Sequence, residues 1–103
     1  MVRVEFQQQD STTIMKIEGR FVGHFVEDAR SVVLSKKIPN RLIVDLSGLS
    51  WVDSTGEELL LWLARFGCSF LAGNAYSSYV CEKLNLEIVQ ESAPNRDDSQ
   101  MVF

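Results

Sequence analysis

The sequence predicts an α/β fold, a mixed β-sheet with helices packed against it, in which an N-terminal hairpin is followed by helix-linked strands. Three observations carry this reading. Apolar and polar residues alternate in two stretches near the N-terminus; after His24 the apolar spacing becomes helical; and an unbroken apolar run, Leu42-Ile43-Val44, then lies between two helical segments. A period of two marks a half-buried strand, whereas a recurrence every three to four residues marks an amphipathic helix.

Val2, Val4 and Phe6 alternate with Arg3, Glu5 and Gln7 in the first strand, and Thr13, Met15 and Ile17 alternate with Ile14, Lys16 and Glu18 in the second. The short polar turn Gln9-Asp10-Ser11 between them makes an antiparallel hairpin, and Gly19 is expected to end it. A first helix over 24–36 places Phe25, Ala29, Val32 and Val33 on one face and closes at Ile38-Pro39-Asn40, since proline disfavours helical geometry at the residue before it. Leu42-Ile43-Val44 lacks alternation and reads as a central strand covered on both faces or as an interior parallel strand. A short connector leads to a second helix over 55–66 that stops at Gly67, a C-cap residue. A third apolar strand follows over 68–72, then a third helix over 75–84 with Asn74 as its cap and Tyr76, Val80 and Leu84 on one face. Residues 86–89 form a short strand or turn and close a single domain over 1–89. The tail, 90–103, is polar and irregular, with Met101-Val102-Phe103 available to dock.

The chain has 103 residues, of which 46% are hydrophobic and 23% charged, which suits one soluble domain with its own core. A net charge of −4, with Lys36-Lys37 as the one basic pair, leaves no footprint for a nucleic-acid backbone. No apolar run approaches the length of a membrane span, and the N-terminus alternates instead of forming a signal block. A cytoplasmic protein without direct membrane insertion is expected. Cys68 and Cys81 lack metal-site spacing and read as two buried thiols. The lone His24 has no nucleophile beside it in sequence, and the glycines form no phosphate-cradling run. Neither an enzyme, nor a metal site, nor a cofactor is expected.

One segment stands apart. Asp53-Ser54-Thr55-Gly56 lies at the mouth of the second helix. Ser54 with Glu57 three residues later matches a capping box, a feature that stabilises a helix by about 1 kcal/mol. Asp53 as the cap shifts that register by one residue. A hydroxyl at a helix N-terminus also sits where backbone N–H groups and the positive end of the dipole stabilise negative charge, so Ser54 is suited to carry a phosphate. Further along, Leu59-Leu60-Leu61-Trp62-Leu63 and Phe66 exceed one apolar stripe. Either the helix is buried on most sides, or Leu61 or Trp62 projects outward beside Ser54 to make a partner or homodimer surface.

Residues 42–56, with Asp45-Leu46-Ser47-Gly48 followed by Val52-Asp53-Ser54-Thr55-Gly56, resemble the central signature of STAS domains, which include the bacterial anti-sigma-factor antagonists. The resemblance extends to Ile17-Glu18-Gly19 with the helix after it, and to the strand between Gly67 and Gly73 with its following helix. It implies a STAS-like fold and a phosphorylation-regulated protein-binding module. Antagonists of this family bind a partner that is both an anti-sigma factor and a serine kinase of the histidine-kinase-like ATPase type. The kinase phosphorylates the serine after the aspartate, which releases the complex, and a phosphatase resets it. By this resemblance Ser54 is the phosphoacceptor and Asp53 helps to position its hydroxyl, while Thr55 and Gly56 shape the turn and Gly56 leaves room for another backbone. The family has an apolar residue directly after the glycine, where this chain has Glu57-Glu58. Those two carboxylates, with Leu61 and Trp62, are expected to face the partner. Two other readings accompany this one: a STAS subunit of a larger assembly that is not phosphorylated, and a carrier holding a nucleotide or lipid headgroup between Asp53 and the Gly73-Asn74-Ala75 turn.

Overall fold

The computed structural model describes residues 2–35 and 41–89. The expected close of the first helix at Ile38-Pro39-Asn40 and the expectations for the tail 90–103 lie outside them. The elements follow in the order β1 (Val2–Gln9), β2 (Thr12–Phe21), α1 (His24–Ser35), β3 (Arg41–Val52), α2 (Ser54–Arg65), β4 (Ser69–Leu71) and α3 (Ala75–Leu84). The four strands form one sheet in the spatial order β1-β2-β3-β4. β1 and β2 are the antiparallel hairpin, and β3 runs parallel to both β2 and β4. Of the two readings of Leu42-Ile43-Val44, the interior parallel strand is the one observed.

The alternation along each strand sorts the sheet into two faces. Met15, Val44 and Phe70 stand side by side in register and are fully buried, as are Ile17 and Leu46 on the same side. Val26 and Ala29 of α1, Leu59, Leu60 and Leu63 of α2, and Val80 and Cys81 of α3 join these residues in one cluster. The opposite face, which carries Lys16, Glu18 and Asp45, has no buried residue at these positions. The helices therefore cover one face only, in two layers.

Three local expectations need correction. Gly19 does not end the second strand: at φ +91° it sits beside a register shift, and the strand continues to the buried Phe21. A bulge of this kind absorbs an extra residue without breaking the ladder. The third strand is longer than its apolar run: in place of the expected short connector, β3 continues through Val52 and only Asp53 separates it from α2. The inward face of α1 is also rotated. Val26 and Ala29 point inward, while Phe25 and Val32 are 36% and 39% exposed. Phe25 packs against the His24 ring instead, with the centroids 4.2 Å apart. Phe25 and Val26 are adjacent apolar residues, and the turn at Gly23, whose carbonyl accepts from Val26 N–H at 3.0 Å, selects the second of them.

Candidate functional site

β3 delivers Asp53 to the mouth of α2, and Asp53 is the N-cap. Its extended backbone (φ −94°, ψ −176°) precedes the first helical residue, Ser54, and its side chain accepts from Gly56 N–H at 2.9 Å. The other carboxylate oxygen accepts from Gly23 N–H at 3.2 Å, which ties the β2–α1 turn to the start of α2. The alternative register is thus the observed one, and the capping box of Ser54 with Glu57 is not formed. Aspartate is as good a cap as serine, and it alone reaches both amides here.

Ser54 is consequently released from structural duty. It is exposed, and among the described residues its hydroxyl has no hydrogen-bond partner. Thr55 is half-buried. Gly56 is buried, and a Cβ there would lie 2.3 Å from Val52 Cγ2 and 2.7 Å from the Phe21 carbonyl oxygen. The lack of a side chain at Gly56 therefore lets α2 meet the ends of β2 and β3 of its own chain.

The angular positions on α2 explain the rest. Gly56, Leu59, Leu60 and Leu63 face the sheet. With 100° per residue, Ser54, Glu58, Leu61 and Arg65 fall on the opposite, outward stripe. On one flank Glu57 accepts from Lys83 Nζ of α3 at 2.9 Å. That bond raises the Lys83 ammonium above the ordinary lysine value, chiefly through the hydrogen bond and secondly through the charge of Glu57. On the other flank the Trp62 ring receives the Arg30 guanidinium of α1 at 4.8 Å from its centroid and meets Phe66 edge-on at 4.9 Å. Leu61 and Trp62 are each half-buried. Neither expectation for this helix holds in full: it is buried on one side, and its outward stripe mixes polar and apolar groups.

The sequence reading missed an aromatic row beside the site. Val52 N–H donates to the Tyr76 hydroxyl at 3.1 Å, which fixes α3 against the end of β3. Trp51 stacks on Tyr76 at 6.0 Å, and Tyr79 follows at 6.3 Å. Trp51 and Tyr79 remain 50% and 57% exposed, so the row is presented to solvent. Strand alternation was the available signal, because it turns Trp51 outward when Val52 is buried.

At the Gly73-Asn74-Ala75 turn, the polar groups that would hold a small ligand are already engaged. Asn74 Nδ2 donates to Ser47 O at 2.8 Å, Asn74 Oδ1 accepts from Ser77 N–H at 2.7 Å, and Ser77 Oγ returns the capping bond by accepting from Asn74 N–H. A Cβ on Gly73 would meet Ser47 Cβ at 2.3 Å, so the space is filled. A hollow of ≈ 390 Å³ lies at the far end of β3, between the hairpin turn and Ile43, Leu71 and Val89. Among the described residues, no cluster of three or more His, Cys, Asp or Glu side chains is arranged to hold a metal ion. Cys68 and Cys81 are buried, free thiols, and burial pushes both upward from the ordinary thiol value. No helix of the described residues is long and apolar enough to cross a membrane.

No protein-family model matches the sequence, and no curated protein sequence matches it either. The fold does match a solved structure, that of the anti-sigma factor antagonist SpoIIAA in its unphosphorylated form, with a TM-score of 0.65 over 88% of this chain and 91% of that chain at 17% identity. The chain has the STAS-like fold. The STAS-like fold is what sets β3 and α2 end to end and leaves Ser54 at the junction.

Proposed function

We propose that this chain is a phosphorylation-regulated protein-binding module of the anti-sigma-factor-antagonist type, acting in the cytoplasm. In its unmodified state it binds an anti-sigma factor that is also a serine kinase of the histidine-kinase-like ATPase type, and phosphorylation of Ser54 releases that partner until a phosphatase resets it. The observation that carries the reading is the division of labour at the helix mouth. Asp53 does the capping, so the exposed Ser54 hydroxyl is left available for chemistry. The fold shared with an anti-sigma factor antagonist supports the same reading.

The switch follows from electrostatics. A phosphate on Ser54 adds about −1.5 to −2 charge. The helix N-terminus tolerates that charge in water, so the fold survives. Glu58 on the same stripe and Asp53 and Glu57 beside it repel the phosphate, and a partner surface that strips its water adds a steep desolvation cost. Binding is therefore lost where folding is not. Glu57, Glu58, Leu61 and Trp62 supply the remainder of the proposed contact surface.

Incubating the chain with a candidate serine kinase of the histidine-kinase-like ATPase type, plus ATP, and then measuring the intact mass tests the assignment. A gain of one phosphate on the wild type and none on Ser54→Ala is expected. A kinase that binds the wild type but adds no mass would remove the phospho-switch. Modification at Thr55 instead would relocate it.

A further inference from the structure

Glu57 and Lys83 form, among the described residues, the one ion pair that joins two helices of the fold. Lys83 Nζ of α3 donates to Glu57 of α2 at 2.9 Å, and the lysine side chain remains 47% exposed. Ser54 stands three residues before Glu57 on the same helix. Residues at that spacing are neighbours on a helix surface, with Cβ atoms about 5–6 Å apart. Helical side chains also lean toward the N-terminus. The Glu57 carboxylate, and the ammonium bound to it, are thereby turned toward the level of Ser54.

Negative groups gather at this helix mouth, since Asp53, Glu57 and Glu58 all lie close to Ser54 in sequence on α2 and its cap. The Gly56 amide, one of the donors that a helix N-terminus offers to an anion, is taken by Asp53 at 2.9 Å. A phosphate on Ser54 brings about −1.5 to −2 charge into that group. The positive groups of the neighbouring elements are placed elsewhere. Arg65 is eleven residues further along α2, about 16 Å up the axis. Arg30 lies over the Trp62 ring on the opposite flank, and His24, at the start of α1, packs on Phe25. Arg20 is exposed on β2, where strand alternation turns it away from the buried Phe21. Lys83 is the cation in position to answer the phosphate. An ammonium carries three donors on a flexible four-carbon stem, and Glu57 accepts one of them. It can therefore hold a phosphate oxygen without leaving the carboxylate.

We infer that Lys83 is the internal counter-ion of phosphorylated Ser54, its ammonium bridging the phosphate to Glu57 and tying α2 to α3 in the modified state. The inference rests on the phospho-switch proposed above and supplies the reason that the fold tolerates the added charge. It also gives Glu57 a role of its own: the carboxylate holds the lysine one turn from the phosphoacceptor before modification. A cation that answers the phosphate from within the chain offsets the repulsion from Asp53, Glu57 and Glu58.

Phosphoserine incorporated at position 54 during synthesis tests this without any kinase. Phosphorus NMR follows the second ionisation of the phosphate, near pH 6 in the absence of special neighbours, in the wild type, Lys83→Gln and Arg65→Gln. A nearby cation favours the dianion, so the midpoint is expected to lie about 0.3 pH units or more lower with Lys83 than with glutamine in its place. Arg65→Gln removes the same charge from three turns away and is expected to leave the midpoint where it is. Melting supplies a second readout. Phosphorylation is expected to leave the wild-type Tm unchanged and to lower that of Lys83→Gln by about 2 °C or more. Equal midpoints in the wild type and Lys83→Gln, an equal effect of Arg65→Gln, or an equal loss of Tm on phosphorylation would each overturn the inference. Should Lys83→Gln fail to fold, the Lys83 side-chain resonances of the phosphorylated wild type decide. They are expected to move with the ionisation of the phosphate, and resonances that stay still overturn the inference. The two proposals fail separately: no mass gain with the kinase removes the switch, whereas equal midpoints here remove Lys83 from it and leave the switch standing.

Discussion

The two oxygens of the Asp53 carboxylate accept from amides thirty residues and three residues away, Gly23 N–H at 3.2 Å and Gly56 N–H at 2.9 Å. One side chain thus joins the β2–α1 turn to the start of α2, while its neighbour Ser54 touches neither. The two residues therefore differ in what they contribute to stability. Asp53→Ala loses a helix cap and a second hydrogen bond and is expected to cost about 1–2 kcal/mol in urea unfolding. Ser54→Ala is expected to stay within about 0.5 kcal/mol of the wild type, as for exposed positions without special contacts. Comparable losses at both positions would show that Ser54 also bears structural weight. Part of this was legible from the residues alone: Asp-Ser-Thr-Gly before an apolar helix announces a cap and a hydroxyl together. Which residue caps was not legible, because the choice depends on Gly23, thirty positions away and brought near only by the fold.

On α2, 100° per residue sorts four roles onto four sides. Leu59, Leu60 and Leu63 face the sheet, Glu57 turns to Lys83 of α3, Trp62 turns to Arg30 of α1, and Ser54 with Glu58 and Leu61 turns outward. The Glu57–Lys83 pair has a pH signature whose sign is fixed. Its folded-state pKa is raised, so the ionised lysine is favoured by folding. That contribution is present through neutral pH and disappears as the pH climbs through the raised alkaline value. In an NMR titration of the Lys83 side chain, Glu57→Gln is expected to bring the midpoint down toward the ordinary lysine value. An unmoved midpoint would show that the pair does not persist in solution. The periodicity that locates α2 says which residues face inward but not which neighbour each flank meets, so the pairing of Glu57 with Lys83 is not legible in it. The same limit explains α1, where two adjacent apolar residues permit either phase and the Gly23 turn decides between them.

Across the whole molecule, the order of strands and helices follows from apolar spacing because each element has one wet side and one dry side. That rule reads the hairpin, the interior parallel strand and all three helices. It does not read lengths, since β3 continues through Ser47, Gly48 and Ser50, whose polarity imitates a loop. It also does not read the row of Trp51, Tyr76 and Tyr79, assembled from a strand end and a helix far apart in sequence. What the assembled fold provides is a packed frame around an exposed hydroxyl: β3 ends at Val52, α3 is pinned there by Tyr76, α2 is capped by Asp53, and Ser54 stands free between them. In the proposed switch, charge at Ser54 controls association without disturbing this frame. The most direct measurement is calorimetric titration of the kinase-type partner into chain carrying phosphoserine at position 54, beside unmodified chain, with both shown to melt at the same temperature. The account expects the phosphorylated chain to bind at least about tenfold more weakly, a penalty of about 1.4 kcal/mol or more. Equal affinity of the two forms would contradict it.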